Sequence, residues 1–262
     1  MQLYKHILGV GNAKTTKGEK LGYLTGILYL SPSDIVEGVQ LCPFASKGCR
    51  EACLYSAGRG KFSNVQQARK RKTMLYRDNL EAFMRSIVKD VIRVVRKAKR
   101  DGKIAAIRLN GTSDIRYEDI VDSKGQNIFE MFKDVIFYDY SKSVKRVLKV
   151  NIPNYHLTFS ASEVTSEILI KKIVNKGKNV AVVFRDIPST FIGETVINGD
   201  ETDLRFLDKS GVIVGLLAKG DAKKDNTGFV RWVRHLENII IRIKLNVKLL
   251  MKNGKKIIEK CI

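Results

Sequence analysis

A chain of 262 residues with 44% hydrophobic side chains and only four prolines can bury one sizeable core, which excludes a disordered or low-complexity protein. Forty-eight Lys and Arg against 27 Asp and Glu leave a formal charge of +21, a surplus that suits phosphate-bearing partners and salt-sensitive binding. No run approaches the ~18 uninterrupted apolar residues of a membrane span, and the N-terminus lacks the apolar stretch of a signal peptide, so a cytoplasmic protein with no membrane partner is expected.

The first strand pattern is GILYL (26–30), followed by the polar run SPSD (31–34). Next comes a loop over 42–60 holding three of the four cysteines, too tightly grouped for a disulfide framework. A helical pattern covers Val65–Arg100 and opens with the basic run QARKRKTMLYR (67–77), which reads as a nucleic-acid contact or as a solvated helix face. IAAIRL (104–109) is the second strand and breaks into NGTSD (110–114). DVIFYDY (134–140) leads into Ser141-Lys142 and a helix over Ser143–Val150. YHLTFS (155–160) leads into a helix over Glu163–Lys176 that stops at Gly177. NVAVVFRD (179–186) and GVIVGLL (211–217) complete six strands, the last followed by Lys219-Gly220-Asp221.

Strand–helix alternation of this kind predicts parallel β-α units. The expected fold is α/β, a TIM-like (β/α) barrel of parallel strands, complete or incomplete, over residues 1–235. Segments 195–197, 205–208 or the N-terminal strip would supply the missing strands. A doubly wound open sheet is the alternative. Residues 236–262, apolar and basic in alternation, form a C-terminal appendage. Polar residues follow nearly every strand, which in a parallel fold brings them to one rim, although Ser, Asn and Asp there also serve as helix caps.

The cysteines Cys42, Cys49 and Cys53 are spaced C-x6-C-x3-C. Three thiolates after the first strand can hold a metal or an iron–sulfur cluster. Zinc would need a fourth ligand, from His6, His156, His235 or Cys261. A [4Fe–4S] cluster would leave one iron open to a small molecule. The spacing differs from the C-x3-C-x2-C run of radical S-adenosylmethionine enzymes.

Taken in order, NAKTTKG (12–18), CPFASKGCREACLYSAGRG (42–60), RLNGTSDI (108–115), FYDYSKS (137–143) and LLAKGDAKKDNTGFV (216–230) resemble the gene product 88 domain family of phage and plasmid proteins. If the chain is phage-encoded, its compartment is the host cytoplasm. The arrangement is also similar to barrel enzymes that exchange bases on nucleic acid, the queuine tRNA-ribosyltransferases and the phage DNA transglycosylases. That resemblance implies a phage-type nucleic-acid modifying enzyme, a glycosyltransferase acting on guanine in DNA rather than RNA, or on a nucleotide. Asp114 would attack the sugar carbon, with Asp139 or Glu163 as second acid or base. Asn110, Thr112, Ser113 and Ser160 would contact ribose or base, Tyr138 or Phe159 would stack, and Arg108, Lys142, Arg185 and Lys219 would hold phosphates. The alternatives are an iron–sulfur enzyme of radical S-adenosylmethionine type using Cys42, Cys49 and Cys53, and a non-catalytic nucleic-acid-binding protein.

Overall fold

The computed structural model describes residues 4, 6–11 and 13–233. Met1–Arg231 forms one compact unit, and the expected appendage at 236–262 lies outside the described residues. Helix α1 (Ala13–Glu19) precedes β1 (Tyr23–Ile27), and the short α2 (Lys47–Glu51) sits in the cysteine loop. Helices α3 (Ser63–Asp78) and α4 (Leu80–Arg100) lead to β2 (Ile104–Arg108). Then come α5 (Ile128–Met131), β3 (Ile136–Ser141), α6 (Val144–Lys149), β4 (Tyr155–Ser160), α7 (Glu167–Val174) and β5 (Val180–Phe184). A hairpin of β6 (Thr190–Phe191) and β7 (Glu194–Asn198) precedes β8 (Ile213–Leu217).

All eight strands share one sheet in the order β1-β2-β3-β4-β5-β8-β7-β6, parallel except for the β6–β7 hairpin. Its ends are β1 and β6, so the sheet is open, and the expected TIM-like barrel, complete or incomplete, is corrected to an open, mostly parallel sheet. The reason lies after β5. The chain runs to the far edge as a hairpin and returns as β8 beside β5, which ends the one-way winding begun at β1. The segment behind the hairpin then lies across the sheet. Leu204 and Phe206 pack on Ala106, Tyr138 and Tyr23, the alternation of β2 placing Ala106 opposite the α4-facing Ala105 and Ile107. Nor is the sheet doubly wound, since β1 to β5 are neighbours in chain order.

Helix α4 packs on the other face, over β1 and β2. Phe83, Ile87, Val91, Val94 and Ala98 are buried at three- and four-residue spacing, the stripe that an amphipathic helix turns to a sheet. The single helix expected over Val65–Arg100 is two. Asn79 leaves helical geometry at φ −154°, and its side chain accepts from the N–H of Ala82, capping α4.

The first strand is also displaced from GILYL to Tyr23–Ile27. Leu28 and Leu30 remain buried, but beyond Ile27 the neighbouring chain is the NGTSD loop rather than a strand. The amide of Gly111 donates to the carbonyl of Leu28, and the Thr112 hydroxyl donates to the carbonyl of Leu30. Of the candidate extra strands, 195–197 falls in β7, 205–208 is a 3-10 turn over Arg205–Leu207, and the N-terminal strip contributes an antiparallel bridge from Gly9 to Ile27.

That strip is tied to α4 by Asp90, whose Oδ2 accepts from the amides of Ile7 at 2.6 Å and Leu8 at 2.7 Å while Oδ1 accepts from Arg93. Truncating it would strand two buried N–H donors and a guanidinium. We expect Asp90→Ala to cost about 3 kcal/mol in denaturant unfolding, whereas a loss below ~0.5 kcal/mol would show that the strip is held by packing alone.

Candidate functional site

A hollow of about 440 Å³ opens at the carboxyl ends of the parallel strands and is lined by residues from β2, β3, β4, β5 and β8, from the cysteine loop, and from 199–203. A larger groove of about 1570 Å³ follows the exposed side of α4 past Leu80, Met84 and Val88. It gathers neither strand ends nor cysteines, so the candidate site is the smaller hollow, where parallel α/β sheets place their chemistry.

Cys42, Cys49 and Cys53 all line it, with Arg108, Asn110, Thr112, Ser113, Asp114, Lys142, Ser160 and Lys219. Five of the expected site residues lie elsewhere. Tyr138 is buried in the core with its ring edge-on to Phe206, Phe159 is buried as well, and Asp139 lies fully buried behind the loop at 110–115. Glu163 stands outside the lining under α2, and Arg185 is exposed, its backbone paired with Arg231.

The carboxylates are engaged as fasteners. Asp114 accepts from the Lys142 amide at 2.9 Å and the Ser141 hydroxyl at 3.1 Å through Oδ2, and from Arg146 at 2.7 Å through Oδ1. Arg146 is buried and also binds Glu118 through two nitrogens and the Tyr155 hydroxyl. Asp139 accepts from the Asn110 amide at 2.7 Å, the Asn110 side chain and Tyr155. Burial raises its pKa to about 6 against the opposing pull of Arg108, the Asn110 N–H and Arg146.

Glu163 takes the Gly48 amide and the Ser46 hydroxyl, each at 2.7 Å. Burial works against its charge, but these two donors prevail and hold it below the usual carboxylate range. Ser46 in turn caps α2 by accepting from the amide of Cys49. Glycine is required at 48, because a Cβ there would stand 2.2 Å from the Thr227 hydroxyl and 2.8 Å from Glu163. The end of β4 thus pins the helix that carries the middle cysteine.

The NGTSD loop is likewise knotted to itself. Asn110 Oδ1 accepts from the Ser113 hydroxyl and the Ile115 amide, each at 2.8 Å, while its Nδ2 donates to the Ile115 carbonyl. The polar atoms expected to touch a ribose therefore hold the loop in shape.

Facing the hollow are the thiols and several cations. Cys42 Sγ accepts from the amide of Ser33 at 3.3 Å and donates to the carbonyl of Thr112 at 3.8 Å. Burial pushes the Cys42 thiol up to about 12 and raises Cys49 and Cys53 as well, with the Lys142 ammonium beside Cys49 pulling the other way. Lys142 Nζ donates to Ser160 Oγ and carbonyl oxygens and lies over the Phe229 ring at 5.2 Å. Arg108 pairs with Asp203 at 2.9 Å and Lys219 with Asp200, so two of the expected phosphate ligands already hold carboxylates.

Among the described residues no group of three or more His, Cys, Asp or Glu side chains is disposed to hold a single metal ion. His6 faces Asp90 and His156 faces Phe206, so neither completes a zinc site, while His235 and Cys261 lie outside the described residues. Arg146, Asp200 and Asp203 were not signalled by sequence. Arg146 alone left a trace, as an arginine beside Val147 on the inward side of a short helix.

These features define a mixed α/β protein with an open, mostly parallel sheet and a cysteine-lined hollow at its strand ends. The chain belongs to the gene product 88 family, whose model matches residues 3–232. No curated protein and no solved structure matches it. No described helix is long and apolar enough to cross a membrane.

The raised Asp139 titration makes a pH prediction. Between about pH 4 and pH 6 the folded chain keeps a proton that the unfolded chain has released, so this group's contribution to stability falls as pH rises through that window. Asp139→Asn lacks the step. On acidification from pH 7 to pH 4 the wild type should gain about 2 kcal/mol of stability relative to the variant. A gap that stays constant would mean that Asp139 titrates as an ordinary carboxylate.

Proposed function

We propose that this protein is an iron–sulfur enzyme in which Cys42, Cys49 and Cys53 hold a [4Fe–4S] cluster and the hollow receives a small molecule of the S-adenosylmethionine kind. The observation that carries the reading is that all three thiols line one hollow at the strand ends, while both oxygens of Asp114, Asp139 and Glu163 accept hydrogen bonds from neighbouring groups. The donor set suits a cluster better than one ion, since each thiolate of a cluster binds its own iron and the sulfurs stand farther apart than around tetrahedral zinc. When bound, such a cluster supplies one-electron chemistry and an open, Lewis-acidic iron.

The chain's own residues supply the rest. Val183, Leu216 and Phe229 offer an apolar wall for the body of a ligand. Lys142 and the Lys219–Asp200 and Arg108–Asp203 pairs set alternating charges for a zwitterionic head. Nucleic acid, DNA before RNA, is the proposed partner in the host cytoplasm. Exposed Phe44 and Phe62 alternate with exposed Lys47, Arg50, Arg59 and Lys61 on the cysteine-bearing segment, a mixture suited to stacking bases and holding phosphates.

The test is metal analysis. Protein purified without oxygen and reconstituted with iron and sulfide should carry about four irons per chain and show a reduced-cluster electron paramagnetic resonance signal. Cys42→Ala, Cys49→Ala and Cys53→Ala should each lose most of the iron. Wild-type protein that takes up none sinks the reading.

Base exchange on guanine is the second reading, favoured by the presence of Asp114 in the lining. It needs Asp114 to leave Arg146 and reach a sugar carbon. Under it, colourless protein would incorporate labelled guanine into DNA, and Asp114→Asn would abolish this without changing the salt dependence of DNA binding. An Asp114→Asn variant with full exchange activity would exclude the aspartate as nucleophile.

A further inference from the structure

The basic run that opens α3 contains one residue that neither a solvated face nor a phosphate-binding face explains. Arg69 is 8% exposed, and its Nε and Nη1 have no hydrogen-bond acceptor among the described residues. Its guanidinium lies over the rings of Tyr29 at 5.1 Å and Tyr55 at 5.4 Å, and no carboxylate pairs with it. Lys72, one turn along, is half-buried and donates to the carbonyl of Ile7, so a second positive charge lies on the same side of the helix.

A guanidinium cannot shed its proton, and a buried charge without a counter-charge is among the costlier features a fold can carry. Two aromatic faces offset part of that cost and supply no acceptor for the N–H groups. Tyr55, whose ring the guanidinium covers, stands two residues after Cys53, so Arg69 packs against the cysteine loop itself. The loop is shaped for this approach. A Cβ at Gly60 would stand 2.6 Å from the carbonyl of Tyr55 and 3.4 Å from Arg69 Nη1, so the glycine of SAGRG lets the chain close over the guanidinium.

We infer that Arg69 is the built-in counter-cation of the anionic group held by the cysteine loop, a positioning residue that stabilises this group from the protein side at Cys53. The inference rests on the iron–sulfur reading of the same loop. Three thiolates carry more negative charge than the core of a [4Fe–4S] cluster offsets, so a bound cluster presents a permanent anion to the unpartnered N–H groups. Removing the cation makes the further electron of reduction harder to add, because net charge and hydrogen bonds to sulfur set the potential of such clusters.

The experiment compares reconstituted wild type with Arg69→Lys, Arg69→Met and Arg69→Gln, each checked for fold by circular dichroism. Midpoint potential is read by redox titration, and iron retention by the rate of loss to a chelator. The neutral variants should load iron, show a more negative potential and lose iron several-fold faster, whereas Arg69→Lys should recover most of both. A loaded neutral variant with unchanged potential and unchanged iron loss overturns the role of Arg69 and leaves the cluster standing. Wild-type protein that binds no iron overturns the cluster itself and this inference with it. Should Arg69→Met fail to fold, Arg69→Gln decides between the outcomes; should both fail while Arg69→Lys folds but loads with a potential far from wild type, charge alone is not what the site requires, and the inference falls.

Discussion

The buried ion pair between Arg146 and Asp114 is the constraint around which the candidate site is organised. Arg146 comes from the helix after β3, and Asp114 from the loop after β2. Through Glu118, Tyr155 and Asp139 the same guanidinium reaches the loop at 110–115 and β4. Burial opposes its charge, but Tyr155 and the two carboxylates outweigh the penalty and hold the arginine firmly protonated. Because a buried pair of this kind is costly to break, the strand ends that it joins behave as one rigid rim.

The hydrogen bonds of the rim bear on what the carboxylates can do. A nucleophile needs an oxygen that can leave its partners and approach a carbon, and Asp114, Asp139 and Glu163 each have both oxygens occupied. Those hydrogen bonds tie the loops together, above all the segment carrying Cys49, where Glu163 accepts from Gly48 and Ser46. The thiols, by contrast, are presented to a common hollow with cations close by. The positive charge of the chain is therefore not only an exterior property. Lys142 stands beside Cys49, and Arg69 is buried against Tyr55 of the cysteine loop.

Much of the scaffold was legible in the sequence. β4 falls on YHLTFS, β2, β3, β5 and β8 lie within a few residues of their apolar runs, and Gly177 does follow α7. The errors have local causes. GILYL runs past its strand because buried extended chain continues where the neighbouring strand has become a loop. The long helix divides because Asn79 caps the second half, and an asparagine in a basic helical run reads equally well as an ordinary surface residue. Arg69 was indistinguishable from its neighbours in QARKRK, because burial of one lysine or arginine among many depends on what packs over the helix.

Residues alone determined the period of each element, the β-α alternation and the concentration of polar side chains and cysteines after strands, since these follow from local backbone geometry and from where parallel strands end. Tertiary structure alone decided that the sheet stays open, that the hollow collects the thiols, and which charges face one another. The physical reason is distance along the chain. Asp114 meets Arg146 across 32 residues and Glu163 meets Gly48 across 115, so whether a carboxylate is a reagent or a fastener depends on contacts that no local pattern encodes.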